Sequence, residues 1–198
     1  MKTIAVLVFD GVEEMDFAGP WEVLAAAIEG APDWRIATVA ERADPVTCEK
    51  GLRVLPDHTY DTAGDVRIVV IPGGSGARRE IDNPRTVAWL QRIAPGCDWV
   101  TSVCTGAFLL VGAGLARGRH VTTHHLFTES LARQSGDSVV ETRRMLRDGN
   151  VISAGGVMSG IEMSLWLTDR IWGPETGERV RNYIAYGYPE ATEISERD

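Results

Sequence analysis

The chain has 198 residues and a mass of 21.6 kDa, which is the size of a single domain. Hydrophobic residues make up 44% of it and charged residues 24%, close to globular averages, so the composition excludes a disordered or collagen-like chain. A formal net charge of -8 without any cluster of Lys or Arg argues against nucleic acid or an anionic membrane as the partner.

The cysteines and the N-terminal segment indicate a reducing compartment. Cys48, Cys97 and Cys104 are too few, and odd in number, for a secreted disulfide framework. The apolar start of the chain is interrupted at Asp10 before the core of a signal peptide forms. No run approaches the roughly 20 apolar residues that a membrane span needs. We therefore expect a cytoplasmic protein.

Short apolar runs alternate with helical patterns, which predicts an α/β fold around a mostly parallel sheet. Strands are predicted at 3–10, 34–40, 66–74 and 98–104, in a hairpin over 46–57 and around the Asp-Gly-Asn turn of 139–155. Helices are predicted at 20–29, 84–95, 105–115, 125–134, 157–172 and 175–186. Pro20 is expected at the opening of the first helix, where a missing N–H costs nothing.

The domain organisation is simple. The chain contains no internal repeat, low-complexity tract or linker. We expect one domain over 1–188, followed by an acidic, solvated tail over 189–198.

The segment TSVCTGAFLL, residues 101–110, has the sequence form of a nucleophile elbow. A strand passes directly into a helix at Cys104, and Gly106 avoids a collision with the neighbouring backbone. Helix N-terminal amides favour a thiolate, which predicts a lowered thiol pKa. The alternative is an inert core thiol, because free cysteine is among the most buried residues. Cys48 and Cys97 lie in turns and are expected to be structural or incidental.

The segment IPGGSG, residues 71–76, is a glycine-rich turn directly after a predicted buried strand. It lacks the ending of a phosphate-binding loop and does not match a dinucleotide fingerprint. The amides of Gly73, Gly74 and Ser75 form a candidate oxyanion hole together with the Thr105 amide. The alternative is an ordinary loop between a strand and a helix.

The loop after the first strand places Asp16 among several acidic residues. One interpretation is a helix N-cap ahead of Pro20, at an imperfect distance. The other is a carboxyl group above the strand ends, near Cys104, partly protonated because of burial and thiolate repulsion. The residues alone leave both interpretations open.

The segment VTTHHLF, residues 121–127, contains adjacent histidines. His124 is a candidate partner for Cys104, although a packed or helix-capping role fits equally well. Two adjacent side chains do not face one metal, so we expect no metal site, and no cofactor motif appears elsewhere. Gly155 and Gly156 are expected to shape one wall of the pocket or to permit close helix–sheet packing.

With these segments in hand, the chain resembles the ThiJ/PfpI superfamily. The resemblance is carried by EMDFAGPWEV, IPGGSG, VTSVCTGAFLL, ARGRHVTTH and RDGNVISAGG, and it is strongest with the isocyanide hydratase branch. It runs to about residue 188 and implies a fold similar to class I glutamine amidotransferases. That fold is a flavodoxin-like three-layer sandwich with helices on both faces of a mostly parallel sheet.

The resemblance implies roles for three residues: Cys104 as nucleophile, Asp16 as general acid and base, and Thr105 as a supporting hydrogen-bond donor. It implies a cofactor-free enzyme that hydrates an isocyanide to an N-substituted formamide through a cysteine thioimidate, and a homodimer. Protease members have histidine at the position of Thr105, and deglycase-type members have glutamate at that of Asp16. His125 replaces a frequent aromatic residue, which predicts a different substrate preference if it lines the pocket.

Two other functions stay open. The sensor-like N-terminal domain of AraC-type regulators carries nearly the same signature, although residues 189–198 are too few for the DNA-binding region that follows there. A stress protein of the deglycase type, in which Cys104 oxidises or handles reactive carbonyls, is the third interpretation.

Overall fold

Seven strands form the central sheet of the computed structural model, which describes residues 1–187. The strands of the chain are β1 Lys2–Leu7, β2 Trp34–Ala40, β3 Val46–Thr47, β4 Arg53–Val54, β5 His58–Thr59, β6 Asp65–Ile71, β7 Trp99–Val103, β8 His120–Val121, β9 Val139–Val140, β10 Met145–Asp148 and β11 Val151–Ala154. The sheet order is β10-β11-β7-β6-β1-β2-β5, and within it only the pairing of β10 with β11 is antiparallel. The tail predicted at 189–198 lies outside the described residues.

Helices cover both faces of this sheet, which confirms the predicted three-layer α/β architecture. They are α1 Glu14–Ala27, α2 Ala77–Glu80, α3 Pro84–Ile93, α4 Gly106–Gly112, α5 Thr128–Ala132, α6 Ser159–Trp172 and α7 Pro174–Tyr183. Helices α1, α6 and α7 pack against one another, and α2 packs against α4. Among residues 1–187, no helix has both the length and the apolar character to cross a bilayer.

The parallel register brings the loops that carry the candidate site to one edge of the sheet. Val6 pairs with Val70, Ile71 with Ser102, and Val103 with Ala154, so β1, β6, β7 and β11 all end near the same level. These strands are almost entirely buried because helices cover both faces, as expected for a parallel sheet. Ligands bind at this edge in open α/β folds.

The predicted helix at 20–29 is displaced in the structure. Helix α1 begins at Glu14, so Pro20 lies inside it and Asp16 belongs to its first turn rather than acting as a cap. Packing against α6 offsets the lost backbone hydrogen bond, and the helices approach so closely that a Cβ on Gly19 would lie 2.9 Å from Ile161.

Other boundaries also differ from the predictions. The strands predicted at 3–10, 66–74 and 98–104 end earlier, at Leu7, Ile71 and Val103, because the residues that follow form the loops of the candidate site. The helix predicted at 125–134 opens with a 3-10 turn, His125–Phe127, before α5. The very short elements β5 and α2 were not predicted.

Candidate active site

Cys104 occupies the elbow between β7 and α4. Its φ is 55°, in the left-handed region that residues with a Cβ rarely adopt, so the backbone is strained at this point. A Cβ on Gly106 would collide with the carbonyl oxygen of Ile71 and lie 2.8 Å from that of Pro72. Glycine at 106 therefore lets the elbow pack against β6, and the elbow predicted from the sequence is present.

The Asp16 carboxyl group is fully buried beside Cys104. Its Oδ2 accepts a hydrogen bond of 2.8 Å from the Gly73 amide. Its Oδ1 has no hydrogen-bond partner of normal geometry among residues 1–187. Burial, aided by the charge of Glu13, raises the pKa of Asp16 to about 7, although the Gly73 amide and the Cys104 thiol lower it. Asp16 is therefore an acid that exchanges its proton near neutral pH.

The Cys104 thiol has a raised pKa, contrary to the expectation of a lowered one. Burial, followed by the charge of Asp16, raises the pKa to about 12, while the amide and hydroxyl of Thr105 lower it less. Desolvation and a neighbouring carboxylate thus outweigh the N-terminus of the short helix α4. Burial raises both pKa values, and that of the thiol stays the higher, so the Cys104–Asp16 pair keeps a proton on the thiol at neutral pH.

The backbone amides of the glycine-rich loop donate to side chains of the protein, so they are not free to bind a ligand. The Gly73 amide donates to Asp16, the Gly74 amide donates to Thr105 Oγ1 at 3.0 Å, and the Ser75 amide donates to Glu49 Oε2 at 3.0 Å. This corrects the prediction that these three amides form an oxyanion hole. The Thr105 amide, which faces Cys104, is the remaining member of that predicted set.

Thr105 and Asp16 leave no room for a side chain at Gly73. A Cβ at this position would lie 2.6 Å from both the amide nitrogen and Oγ1 of Thr105, and 2.8 Å from Asp16 Oδ2.

Glu49, which accepts the hydrogen bond from Ser75, comes from the hairpin loop between β3 and β4. Sequence reasoning missed Glu49, because no local pattern connects a hairpin loop with a turn 26 residues away.

Cys104 opens onto a cavity of about 230 Å³. The cavity is lined by Glu13, Glu49, Gly74, Ser75, Arg78, Cys104, Thr105, His124, Phe127 and Val157. Asp16 does not line this cavity. Cys104 is a buried residue, only 7% exposed, and it nevertheless lines this cavity, as a nucleophile for a small molecule must.

Gly155 and Gly156 line a neighbouring groove of about 490 Å³ and not the cysteine cavity, which corrects their predicted place. His124 and Val157 line both spaces, so they stand where the two meet. His125, the position expected to influence substrate preference, also lines the groove.

His124 caps the turn that follows it. Its Nδ1 accepts the Leu126 amide at 3.3 Å, and its ring stacks on His125 with centroids 4.4 Å apart. Burial, followed by the charge of His125, lowers the pKa of His124, which favours the neutral ring. No hydrogen bond joins it to Cys104 within residues 1–187. The capping alternative is the one that the structure shows.

The other two cysteines are buried away from the cavity. Burial raises the pKa of Cys48 to about 11 and that of Cys97 to about 12, and both are free thiols. The Cys97 thiol lies 3.5 Å from the Val66 carbonyl oxygen. Both therefore behave as packed core residues. In the part of the chain that the structure describes, no three His, Cys, Asp or Glu side chains are grouped to hold a metal.

Known proteins resemble this chain in sequence and in fold. The sequence profile of the DJ-1/PfpI family matches residues 2–170. An isonitrile hydratase of Pseudomonas putida is 32% identical over 183 residues, covering 92% of this chain and 78% of that protein. A ThiJ/PfpI family protein of Pseudomonas syringae has a TM-score of 0.87 at 28% identity, covering 93% of this chain and 75% of that one. The HTH-type transcriptional regulator GbdR of Pseudomonas aeruginosa is 26% identical, covering 93% of this chain and 51% of the regulator.

Proposed function

This chain belongs to the DJ-1/PfpI family, and we propose that it hydrates isocyanides (isonitriles) to N-substituted formamides. The observation that carries the proposal is the pairing of Cys104, which lines a cavity, with Asp16, a buried acid whose pKa is about 7. The similarity to an isonitrile hydratase supports the same assignment. Under this proposal Cys104 is the nucleophile, Asp16 the general acid and base, and Thr105 the supporting donor.

The first half-reaction uses the one proton that the pair holds. Asp16 accepts the thiol proton as the Cys104 sulfur attacks the terminal isocyanide carbon, which forms the S–C bond. Asp16 then delivers that proton to the same carbon, and the product is a thioimidate, R–N=CH–S–Cys104. The Asp16 carboxylate is left behind, ready to act as a base.

The second half-reaction consumes water. Asp16 takes a proton from water while the hydroxide adds to the thioimidate carbon, and the proton passes to the nitrogen. The tetrahedral adduct, R–NH–CH(OH)–S–Cys104, then breaks its C–S bond as the hydroxyl proton returns to the pair. The formamide R–NH–CHO leaves, and Cys104 and Asp16 hold one proton again. A single carboxyl group therefore serves both half-reactions.

Amide hydrolysis fits the site less well. It requires a group, usually an imidazole, that carries a proton to a departing amine. Thr105 follows the cysteine here, and Nδ1 of His124 accepts a backbone amide hydrogen bond. The sensor interpretation is supported by the similarity to GbdR and uses the same cavity to bind a ligand without turnover.

We expect the purified protein to convert an aryl isocyanide to the N-formyl arylamine without an added cofactor. Loss of the isocyanide absorbance and chromatography of the formamide measure the reaction. The same assay without protein supplies the background rate. Saturable binding of the isocyanide without formation of formamide would favour the sensor interpretation and reject the hydratase.

We expect kcat/KM to rise with pH through a midpoint near 7 and then to stay level to pH 9. Below the pKa of Asp16, both groups of the pair are protonated, so no carboxylate is available to take the thiol proton. Rates with a fixed isocyanide across pH 5–9 measure the midpoint.

Glu13→Gln is the matched control, because the charge of Glu13 raises the Asp16 pKa and its removal should move the midpoint to lower pH. A midpoint well below pH 6 in the wild type, or a flat profile, would contradict the proposed roles.

The homodimer remains a proposal that rests on the family resemblance. Large apolar side chains near the start of α1 and on the β3–β4 hairpin are exposed, namely Met15, Leu52 and Leu55. A second copy of the chain is a suitable cover for them. The cytoplasmic location and the domain boundary at 188 also remain predictions.

A further inference from the structure

The carboxylates in the cysteine cavity already have protein partners. Glu49 Oε2 accepts hydrogen bonds from both the amide and the hydroxyl of Ser75, at 3.0 and 2.5 Å. Glu13 pairs with Lys50 at 2.8 Å. Glu13 is therefore paired with a cation, whereas Glu49 keeps its negative charge but has one oxygen held by the neutral groups of Ser75.

Arg78 is the one Lys or Arg side chain that lines the cavity, and it has no such partner. No hydrogen bond or ion pair joins its guanidinium to another group within residues 1–187. The guanidinium instead lies over the ring of Phe127, 5.0 Å from the centroid, and Phe127 lines the same cavity. This cation–π contact positions a free positive charge beside the space onto which Cys104 opens.

The adjoining groove carries two further arginine side chains. It meets the cysteine cavity at His124 and Val157, and its wall includes Arg143 and Arg144 but no Asp or Glu. Arg143 and Arg144 pair with carboxylates outside that wall, so Arg78 is the unpaired cation of the combined space. An isocyano group is linear, so its substituent must extend away from the sulfur and along this space.

We propose that Arg78 determines substrate specificity by binding a carboxylate on the substituent, so that the preferred substrates are isocyanides bearing a carboxylate. The inference rests on the hydration proposed above and names its substrate class. A guanidinium offers a carboxylate paired N–H donors and a charge-assisted interaction. The carboxylate replaces the water around Arg78, while the isocyanide carbon lies at Cys104.

The test compares 3- and 4-isocyanobenzoate with their uncharged methyl esters. We expect wild-type kcat/KM to favour the better carboxylate over its ester by about tenfold. Arg78→Met keeps an unbranched stem over Phe127 but removes the charge. This variant should lose that preference through a higher KM for the carboxylate.

Arg79→Met is the matched control, because Arg79 lies on the same helix and donates to the Asp10 carbonyl oxygen at 2.9 Å instead of lining the cavity. It should keep the preference for the carboxylate. An equal preference in Arg78→Met and wild type, or a wild-type preference for the ester, would overturn the proposal.

A binding measurement separates this inference from the hydratase proposal. Calorimetry with 3- and 4-formamidobenzoate and their methyl esters tests charge recognition without turnover.

If no isocyanide is converted, the hydratase proposal fails. Binding of a carboxylate that is lost in Arg78→Met still supports the role of Arg78. Binding that is absent, or the same in both proteins, rejects it.

Discussion

Replacing Cys104 by alanine is expected to abolish isocyanide hydration, lowering kcat by at least about a thousandfold. The alanine variant retains the cavity and Asp16 but lacks the atom that forms the bond to the isocyanide carbon. The side chain is small, so we expect the fold to persist, with the strained φ of 55° unchanged. Initial rates and circular dichroism of the same samples measure both properties.

Cys97→Ala is the matched control for this variant. Cys97 is likewise a buried free thiol with a raised pKa, but it does not line the cavity. Its removal should leave hydration intact. Mass spectrometry of rapidly quenched wild-type protein should find the added mass of the isocyanide on the Cys104 peptide. Full activity of Cys104→Ala, or an adduct on another residue, would reject the covalent mechanism.

Replacing Asp16 by asparagine is expected to move activity and stability in opposite directions. Hydration should fall by about 10²–10⁴-fold, since asparagine neither gives nor takes a proton at the reacting carbon. Stability at pH 8 should increase, by up to about 4 kcal/mol, because a raised carboxyl pKa means that burial of the ionised form opposes folding. Asparagine keeps an oxygen that can accept the Gly73 amide hydrogen bond.

The stability gained by Asp16→Asn should depend on pH. In the wild type, the favourable effect of the neutral carboxyl group is fully present below pH 3.8, the ordinary pKa of an Asp side chain, and is lost as pH rises through about 7. The variant should therefore match the wild type at pH 3.5 and exceed it above pH 7. Urea unfolding at several pH values measures this difference.

Asp44→Asn, at a side chain that is 82% exposed, is the control and should show no such pH-dependent gain. A less stable Asp16→Asn protein at pH 8 would mean that the folded protein favours the carboxylate. That result would contradict the assignment of Asp16 as an acid near neutrality.

The elbow could be predicted because its signal is local. An apolar strand that ends at Val103, a cysteine, and a glycine two positions later describe a single turn of backbone. The lack of a side chain at Gly106 and the unusual φ of Cys104 are both set by the backbone of this turn, so the local sequence is enough to indicate them.

The start of α1 and the role of the glycine-rich loop could not be predicted in the same way. Pro20 normally marks the opening of a helix, but packing against α6 stabilises the helix on both sides of it. The amides of residues 73–75 looked free because their acceptors lie on other loops, and the Gly73 bond to Asp16 spans 57 residues.

The sequence by itself determined the α/β architecture and the elbow with its candidate nucleophile Cys104. These follow from hydrophobic periodicity and short-range backbone sterics, which are properties of neighbouring residues, whereas only the family resemblance pointed to Asp16 as the acid. The tertiary structure decided the raised pKa values of Cys104 and Asp16, the occupied amides of the loop and the unpaired charge of Arg78. Desolvation and hydrogen bonding are sums over groups brought together from distant segments, so they exist only once the chain has folded.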